Sequence, residues 1–406
     1  MARNYDAIVV GGRCAGSPTA MLLARRGYRV LVVDRATFPS DIMSSHFIHA
    51  PGVAALRRWG LLDELVATGC PSVRNYQIDF GPLKLAGSPR PAGEVSAAYG
   101  PRRRILDQLL LDAAARAGAE IRERFVVEEV LTENGSVVGV RGRDEEGRSL
   151  KESSHLVIGA DGLRSLVAET VGATRYHDKG PLAATYYTYW SGVPVEGIEI
   201  YVRPRRSWGA FQTHDGLTCI PVSWPRSEFE SNRRDVEGSY LRTLDLAPEF
   251  GERVRAGKRE ERFVGTGNAP NFFRKPYGAG WALVGDAGYH KDPCTAQGIS
   301  DAFRDSEYLV EAIDSWYDKG VPFGSAMSEY ERKRNEHALP MFGFTCQLAA
   351  LEPPPPEMQR LLGAIQGNRE EMDNFVSVLA GTLPFPDFFG PDNIARLMAG
   401  ATAAAR

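Results

Sequence analysis

Residues 7–35 read AIVVGGRCAGSPTAMLLARRGYRVLVVDR, and no other stretch limits the fold as sharply. Residues 7–10 form a short apolar run that suits a buried parallel strand. Gly11, Gly12, Arg13, Cys14, Ala15 and Gly16 make a glycine-rich turn. A helix is expected over residues 15–26, with Pro18 in its first turn, where a missing N–H costs little. Gly27 stops that helix, and residues 29–33 form a second β-branched strand ending in Asp34. The carboxylate falls 23 positions after the first glycine. Strand, glycine turn, helix, strand and terminal acid together have the form of a dinucleotide-binding fingerprint. The glycines let backbone N–H groups approach a pyrophosphate at the positive end of the helix. Asp34, with Arg35 beside it, is placed to bind the adenosine ribose. Where GxGxxG carries its second glycine, this chain has Arg13, whose side chain must swing away or join the phosphate site.

The chain has 406 residues, enough for two or three domains. Its net charge of −3 makes no electrostatic case for nucleic acid or anionic membrane as a partner. No apolar run reaches the length of a membrane span. The first strand begins within a few residues of the N-terminus, leaving no room for a signal peptide. The cysteines are five, scattered and without a CxxC pair, so neither a disulfide framework nor a metal site is expected. A reducing cytoplasm is the expected compartment.

Further along, residues 51–59 and 61–68 read as helices and 73–85 as weakly alternating strand. Residues 105–117 have helical Leu and Ala spacing. Residues 125–131, 137–143 and 149–152 read as a three-stranded meander turned at Asn134-Gly135 and Glu146-Gly147. Residues 155–159 read as a separate buried strand. Residues 184–224 are rich in Tyr, Trp, Val and Thr and read as antiparallel sheet. Residues 235–256, 296–318 and 327–336 read as helices, and four consecutive prolines at 353–356 as a stiff link. The segment from 358 onward is mostly helical.

Three stretches carry chemistry. They are the turn at Gly11–Gly16, the run GADGLRS at 159–165, and GDAGYHKDPCTAQG at 285–298. In this order they resemble the FAD-dependent group A aromatic hydroxylases, single-component flavoprotein monooxygenases. That family shares a wider superfamily with flavin halogenases and prenyl-lipid reductases. The resemblance covers roughly residues 5–345. It implies an α/β fold with an α+β composite character: a Rossmann-like FAD-binding domain with an inserted antiparallel-sheet substrate domain and C-terminal helices. The FAD-binding domain would be discontinuous, over 1–73, 98–175 and 276–345. The substrate domain would take 74–97 and 176–275, and a helical segment 346–406.

The resemblance also assigns roles. Asp286, after Gly285, would bind the ribityl hydroxyls of FAD. Gly298 and Ile299, with Gln297 just ahead, would open a helix toward the flavin's pyrimidine edge. Pro293 would lie beside the ring. Asp161 would support FAD and NAD(P)H, and Arg103, in an R-x-x-L-D pattern, would contact FAD. His46 and His290 would fall near the flavin and join Pro293 as candidate catalytic residues. Cys294 sits where the ring should be and is expected to be a packed neutral thiol; His46, His49, His290 and His337 are all expected as loop or surface histidines. The chain departs from the family at Tyr289, Ala296 and Ala168, where its motifs carry His, Gly and Arg. Halogenases carry W-x-W-x-I-P in the strand corresponding to residues 207–212, which here read SWGAFQ, so halogenation is not expected. The implied reaction is hydroxylation of an aromatic or polyketide-like molecule with NAD(P)H and O2, through a flavin C4a-hydroperoxide. A dehydrogenase or reductase of the same fold, or a flavin-binding protein without turnover, are the alternatives. Of the aromatics at 186–224, alternation puts about half on one face, mostly as core.

Overall fold

The structure, a computed structural model, describes residues 4–44 and 46–404, with side chains to residue 400. Tyr5–Val10 and Val30–Val33 are strands, joined by the helix Gly16–Ala24. Ile8, Val9, Leu31, Val32 and Val33 are fully buried, which is why these strands read as unbroken apolar runs. They lie in the middle of a sheet whose path runs Tyr277–Gly278, Trp281–Leu283, Ser149–Gly159, Tyr5–Val10, Val30–Val33, Glu120–Arg122. All neighbours are parallel except the edge pair formed by Tyr277–Gly278.

Register decides where function can sit. Val10 is level with both Val33 and Gly159, and Gly159 with Leu283. The four strands therefore end in one row. Gly11, Asp34, Ala160 and Val284 leave the sheet side by side, with Asp161 and Gly285 one residue on. In an open parallel sheet, the carboxyl ends of the strands form the binding crevice.

Ser149–Gly159 is one continuous strand, where the sequence suggested two. Its first half pairs antiparallel with Ser136–Arg143 in the meander; its second half pairs parallel with Tyr5–Val10. The change of partner, from half-exposed ribbon to buried sheet, breaks the pattern without breaking the strand.

The second sheet has the path Lys258–Arg259, Ala183–Ser191, Thr218–Pro225, Arg206–Gln212, Ile198–Arg203, Tyr76–Asp79, Lys84–Gly87. The weak stretch at 73–85 thus becomes short strands, two of which form this sheet's far edge. The helical stretch at 235–256 is two helices, Val236–Leu244 and Pro248–Ala256, the second started by Pro248 at its first position. They cover the outer face of the sheet, where Trp190, Tyr201, Trp208 and Trp224 pack with Tyr240 and Phe250.

The helix Phe323–Ala349 runs well past residue 336, with Pro340 inside it, and crosses the boundary expected at 345. Phe342, Phe344, Thr345 and Ala349 are buried in its later turns, and that burial carries the helix through the proline. The C-terminal helices Pro356–Ile365 and Arg369–Leu379 share one apolar cluster with the second sheet, joining Leu361, Leu362, Ile365 and Phe375 to Tyr76, Ile78, Ile198 and Phe211. Among the described residues, no helix is long and apolar enough to cross a membrane.

Candidate functional site

The strand ends open onto a cavity of about 1140 Å³ that continues between the two sheets. Gly11, Arg13, Ala15, Asp34 and Arg35 line it at one end, with Arg103 and Asp161. Gly285, Asp286, His290, Pro293, Gly298 and Ile299 line it further in. A cradle is visible in the glycines. A Cβ on Gly11, which has φ +104°, would stand 2.4 Å from the Ala160 carbonyl oxygen; one on Gly16 would stand 1.7 Å from the Gly11 oxygen. A Cβ on Gly298 would meet nothing within 4 Å, since that residue faces the cavity.

Gly12 and Gly16 lie behind this surface and shape the turn instead of lining it. The Gly12 N–H donates to Asp34 Oδ2 at 2.7 Å, and the Ala36 N–H to Asp34 Oδ1 at 2.7 Å. Asp34 thus fixes the turn while its carboxylate still borders the cavity. Arg13 swings its guanidinium away, onto Asp107 at 2.5 Å and over the Phe38 ring. Arg103 donates to the same carboxylate at 3.0 and 3.1 Å, and Cys14 Sγ lies 3.2 Å from it. Asp107 is fully buried, so two arginines share one anchored counter-charge, and Arg13 is held back further by Ser40, through Nη1 to its carbonyl at 3.2 Å and Nη2 to its hydroxyl at 2.9 Å.

Asp286 is exposed to the cavity and faces the positive charge of Arg103. Asp161 is different: Oδ2 accepts from the Val167 N–H at 3.3 Å, Oδ1 is buried without a partner, and burial raises its pKa. Deeper in, Gly298 starts a helix of 20 residues, whose N-terminal N–H groups carry partial positive charge toward the cavity. Asp301 in its first turn would oppose that field. Its charge is cancelled by an ion pair with Lys291 and by Arg304, whose Nη1 lies 2.6 Å from Asp301 Oδ1. Burial works against ionisation of Asp301, yet Lys291 and Arg304 hold its pKa below the usual carboxylate range. Arg304 also binds Asp305 at 2.7 Å, closing a buried charge cluster under the turn. This cluster was not singled out from the sequence; its one signal there is the i, i+3 spacing of Asp301 and Arg304.

Residues 4–226, more than half of the chain, match the FAD binding domain family. This chain belongs to that family. It is 26% identical over 343 residues to a digeranylgeranylglycerophospholipid reductase of Methanocella arvoryzae, an alignment spanning 83% of this chain and 84% of the relative. It is 33% identical over 226 residues to the aklavinone 12-hydroxylase of Streptomyces peucetius, spanning 51% of this chain and 44% of the relative. The solved structure of a myxobacterial chondrochloren halogenase superposes with a TM-score of 0.79 at 23% identity, covering 99% of this chain and 97% of the other, and shares the fold. The protein is an FAD-dependent oxidoreductase.

The residues fit FAD. The glycine cradle and the start of the first helix suit its pyrophosphate, Asp34 its ribose, and Asp286 and Arg103 its middle. The helix beginning at Gly298 suits an electron-rich flavin edge. Gln297 does not line the cavity: its Nε2 donates to the Leu379 carbonyl at 2.7 Å and ties the turn to the C-terminal segment.

His46 is also displaced from the expected place. It is 1% exposed and packs behind the cavity wall, its Nε2 2.8 Å from the Tyr189 hydroxyl. Burial first, then Arg102 and Arg103, pull its pKa down to about 3, so it is neutral near pH 7. His49 lines the cavity in its stead; it lies on a loop, as expected, just before the helix Ala50–Arg58, but it is buried. Its Nε2 lies 3.0 Å from the Thr295 carbonyl and its Nδ1 2.8 Å from the Tyr76 hydroxyl. A carbonyl can only accept, so Nε2 carries the hydrogen and Nδ1 accepts from Tyr76. Burial lowers the His49 pKa to about 4. His337 is a surface histidine, as expected, on the helix Phe323–Ala349. His290 stays at the cavity, with Nδ1 2.6 Å from the Pro270 carbonyl. Cys294 is exposed at the cavity rather than packed.

The inner face of the second sheet completes the site. Pairing aligns Tyr76, Ile198, Phe211 and Cys219 in one row and Ile78, Ile200 and Gly209 in the next. Gly209 leaves the middle of this face low, with Pro221 and Tyr187 beside it. A third row carries Ser207, Ser223 and Thr185, the last two bonded at 2.7 Å.

Proposed function

We propose that this protein is a monooxygenase that hydroxylates an aromatic or polyketide-like small molecule, using NAD(P)H and O2. The observation carrying the reading is the inner sheet face: a trough at Gly209, walled by Phe211, Tyr187, Ile198 and Ile200, that continues into the cradle for FAD. Such a wall suits a flat apolar ring, and the row of hydroxyls beside it suits oxygen substituents.

FAD, when bound, supplies the redox chemistry. The chain does the rest. Asp286, Arg103 and the glycine turn hold the cofactor in place. The N–H groups of Gly298 and Ile299 stabilise negative charge brought next to them, and Lys291 and Arg304 prevent Asp301 from cancelling that field. Apolar side chains exclude water from the reacting region. Pro293 and His290 border the same space.

A second reading, reduction of a prenyl chain, is supported by the quarter identity with the archaeal reductase over most of the chain. Labelled oxygen gas separates them. One heavy atom in the product, with NAD(P)H consumption coupled to it, supports hydroxylation. Turnover that proceeds normally without oxygen overturns it in favour of the reductase.

A further inference from the structure

Gly209 is a glycine that the chain's own geometry does not require. It lies inside the strand Arg206–Gln212, level with Ile200 on one side. On the other side, the pairing of Trp208 with Val222 and of Phe211 with Cys219 sets it opposite Pro221. Both registers run through it unbroken, so it marks no bulge. Its φ lies outside the left-handed region. A Cβ added to it would stand 3.6 Å from the Glu199 carbonyl oxygen and 3.9 Å from Pro221 Cγ, both ordinary contacts. A glycine inside a strand weakens it. Where no bulge, left-handed turn or tight contact calls for one, it marks a place where a ligand comes close to the backbone.

The surroundings of Gly209 agree. Alternation sends Trp208 and Ala210 to the outer face, into the cluster beneath Tyr240 and Phe250. Ser207, Gly209 and Phe211 face inward and line the cavity. Over Gly209 the space belongs to the cavity, since nothing beyond the two paired strands comes within 4 Å of the added Cβ. The strand is therefore the floor of a slot. Ile200 and Val202 form one side, Pro221 and Ser223 the other. Phe211 closes the end nearer to the cofactor cradle. Its ring packs on Phe47 with centroids 5.1 Å apart, and Phe47 packs on His49 at 5.0 Å. His49 in turn is bonded to Thr295, on the turn that holds Pro293. From Phe211 to Ser207 the slot runs for about 13 Å, at roughly 3.3 Å per strand residue.

We propose that Gly209 determines substrate size: its missing side chain makes room for a flat molecule of three or more fused rings, lying along the strand from Phe211 to Ser207 with one face on the Gly209 peptide. This rests on the monooxygenase reading and narrows its substrate class. Two fused rings leave the slot part-filled. A third buries further apolar surface against Ile200, Val202 and Pro221. A side chain at position 209 would stand in the space that the rings occupy.

The test uses the FAD-loaded protein and equilibrium dialysis, with 2-naphthol and 2-hydroxyanthracene as two- and three-ring probes, so no turnover is needed. Gly209→Leu should weaken the three-ring probe about tenfold or more, and change the two-ring probe and FAD by less than about threefold. Gly209→Ala should weaken the three-ring probe about threefold. The same variant should raise the thermal unfolding midpoint, because alanine suits a strand interior better than glycine. A more stable fold that binds the larger ring less well is a result that a purely structural glycine does not give. If Gly209→Leu does not fold, Gly209→Ala decides alone. Equal losses for both probes, unchanged binding of the three-ring probe, or a lowered midpoint in Gly209→Ala overturns the proposal. Hydroxylation is read separately by oxygen labelling. Label in the product without ring-size selection rejects the slot alone, and ring-size selection with oxygen-independent turnover rejects hydroxylation alone.

Discussion

Arg13 and Asp107 meet at 2.5 Å although 94 positions separate them. The departure at the second glycine of the fingerprint is thereby explained: the side chain that could block the pyrophosphate is withdrawn to a buried carboxylate, which also holds Arg103. The glycine turn and the helix bearing Arg103 are fastened together at one end of the cavity.

Removing that anchor should therefore be costly twice over. Asp107→Ala leaves two mostly buried guanidiniums without their counter-charge, a loss on the order of 3–5 kcal/mol for a broken buried pair. It also frees Arg13 to enter the phosphate site. Urea unfolding should show a lower midpoint, and FAD titration a weaker affinity. Wild-type behaviour in both would mean that the shared carboxylate is unimportant.

Asp286 has no such structural duty, since it is exposed at the cavity. Asp286→Ala should lose FAD affinity while leaving the fold intact. Charge-assisted hydrogen bonds to ribityl hydroxyls contribute about 1.5–3 kcal/mol, or roughly 10- to 150-fold in affinity. Fluorescence titration with FAD, with circular dichroism as the fold control, reads this directly. Unchanged affinity would show that Asp286 does not touch the cofactor.

Ala296 sits where the family motif has glycine, and its φ is +51°. A side chain in the left-handed region costs about 1–2 kcal/mol, part of which glycine returns through its freer unfolded chain. Ala296→Gly should accordingly stabilise the protein, by up to about 1 kcal/mol. Thermal unfolding at fixed FAD concentration measures it; a lower midpoint would mean that the Ala296 methyl group makes contacts outweighing the strain.

Residues whose place at the cavity follows from local chain geometry were legible in the sequence. Gly11, Asp34 and Asp286 each follow a short buried strand, and parallel pairing brings such strand ends together whatever else the chain does. His46 and His49 show the limit. They lie in or beside an irregular segment with no period, so nothing in the sequence tells which ring faces the cavity. Only the pairing of Ile48 with Tyr99 and the contacts of Tyr76 and Thr295 turn His49 inward. The buried cluster of Lys291, Asp301 and Arg304 was hidden for a related reason: charged residues at helical spacing usually mark a solvated face. Pro340 concealed the end of its helix because local preference favoured a stop and burial of Phe342 and Phe344 overrode it.

The His49 ring gives the fold a dependence on pH whose sign is fixed. Its folded pKa is about 4, against an ordinary value of 6.5, because burial penalises the charged ring. The unfolded chain therefore takes up the proton first as pH falls. Stability from this residue is complete above pH 6.5, is lost as pH falls toward 4, and changes no further below that. At pH 5 the loss is on the order of 2 kcal/mol from His49 alone. His46 acts in the same direction, with a folded pKa of about 3. In His49→Gln the ring that titrates is gone, so the variant should start less stable at pH 7 but lose about 2 kcal/mol less than wild type between pH 7 and pH 5. Urea unfolding at the two pH values, in saturating FAD, gives both differences. Equal losses in variant and wild type would show that His49 is not held neutral by burial, and with it the hydrogen-bond direction from Tyr76 through His49 to Thr295 would fall.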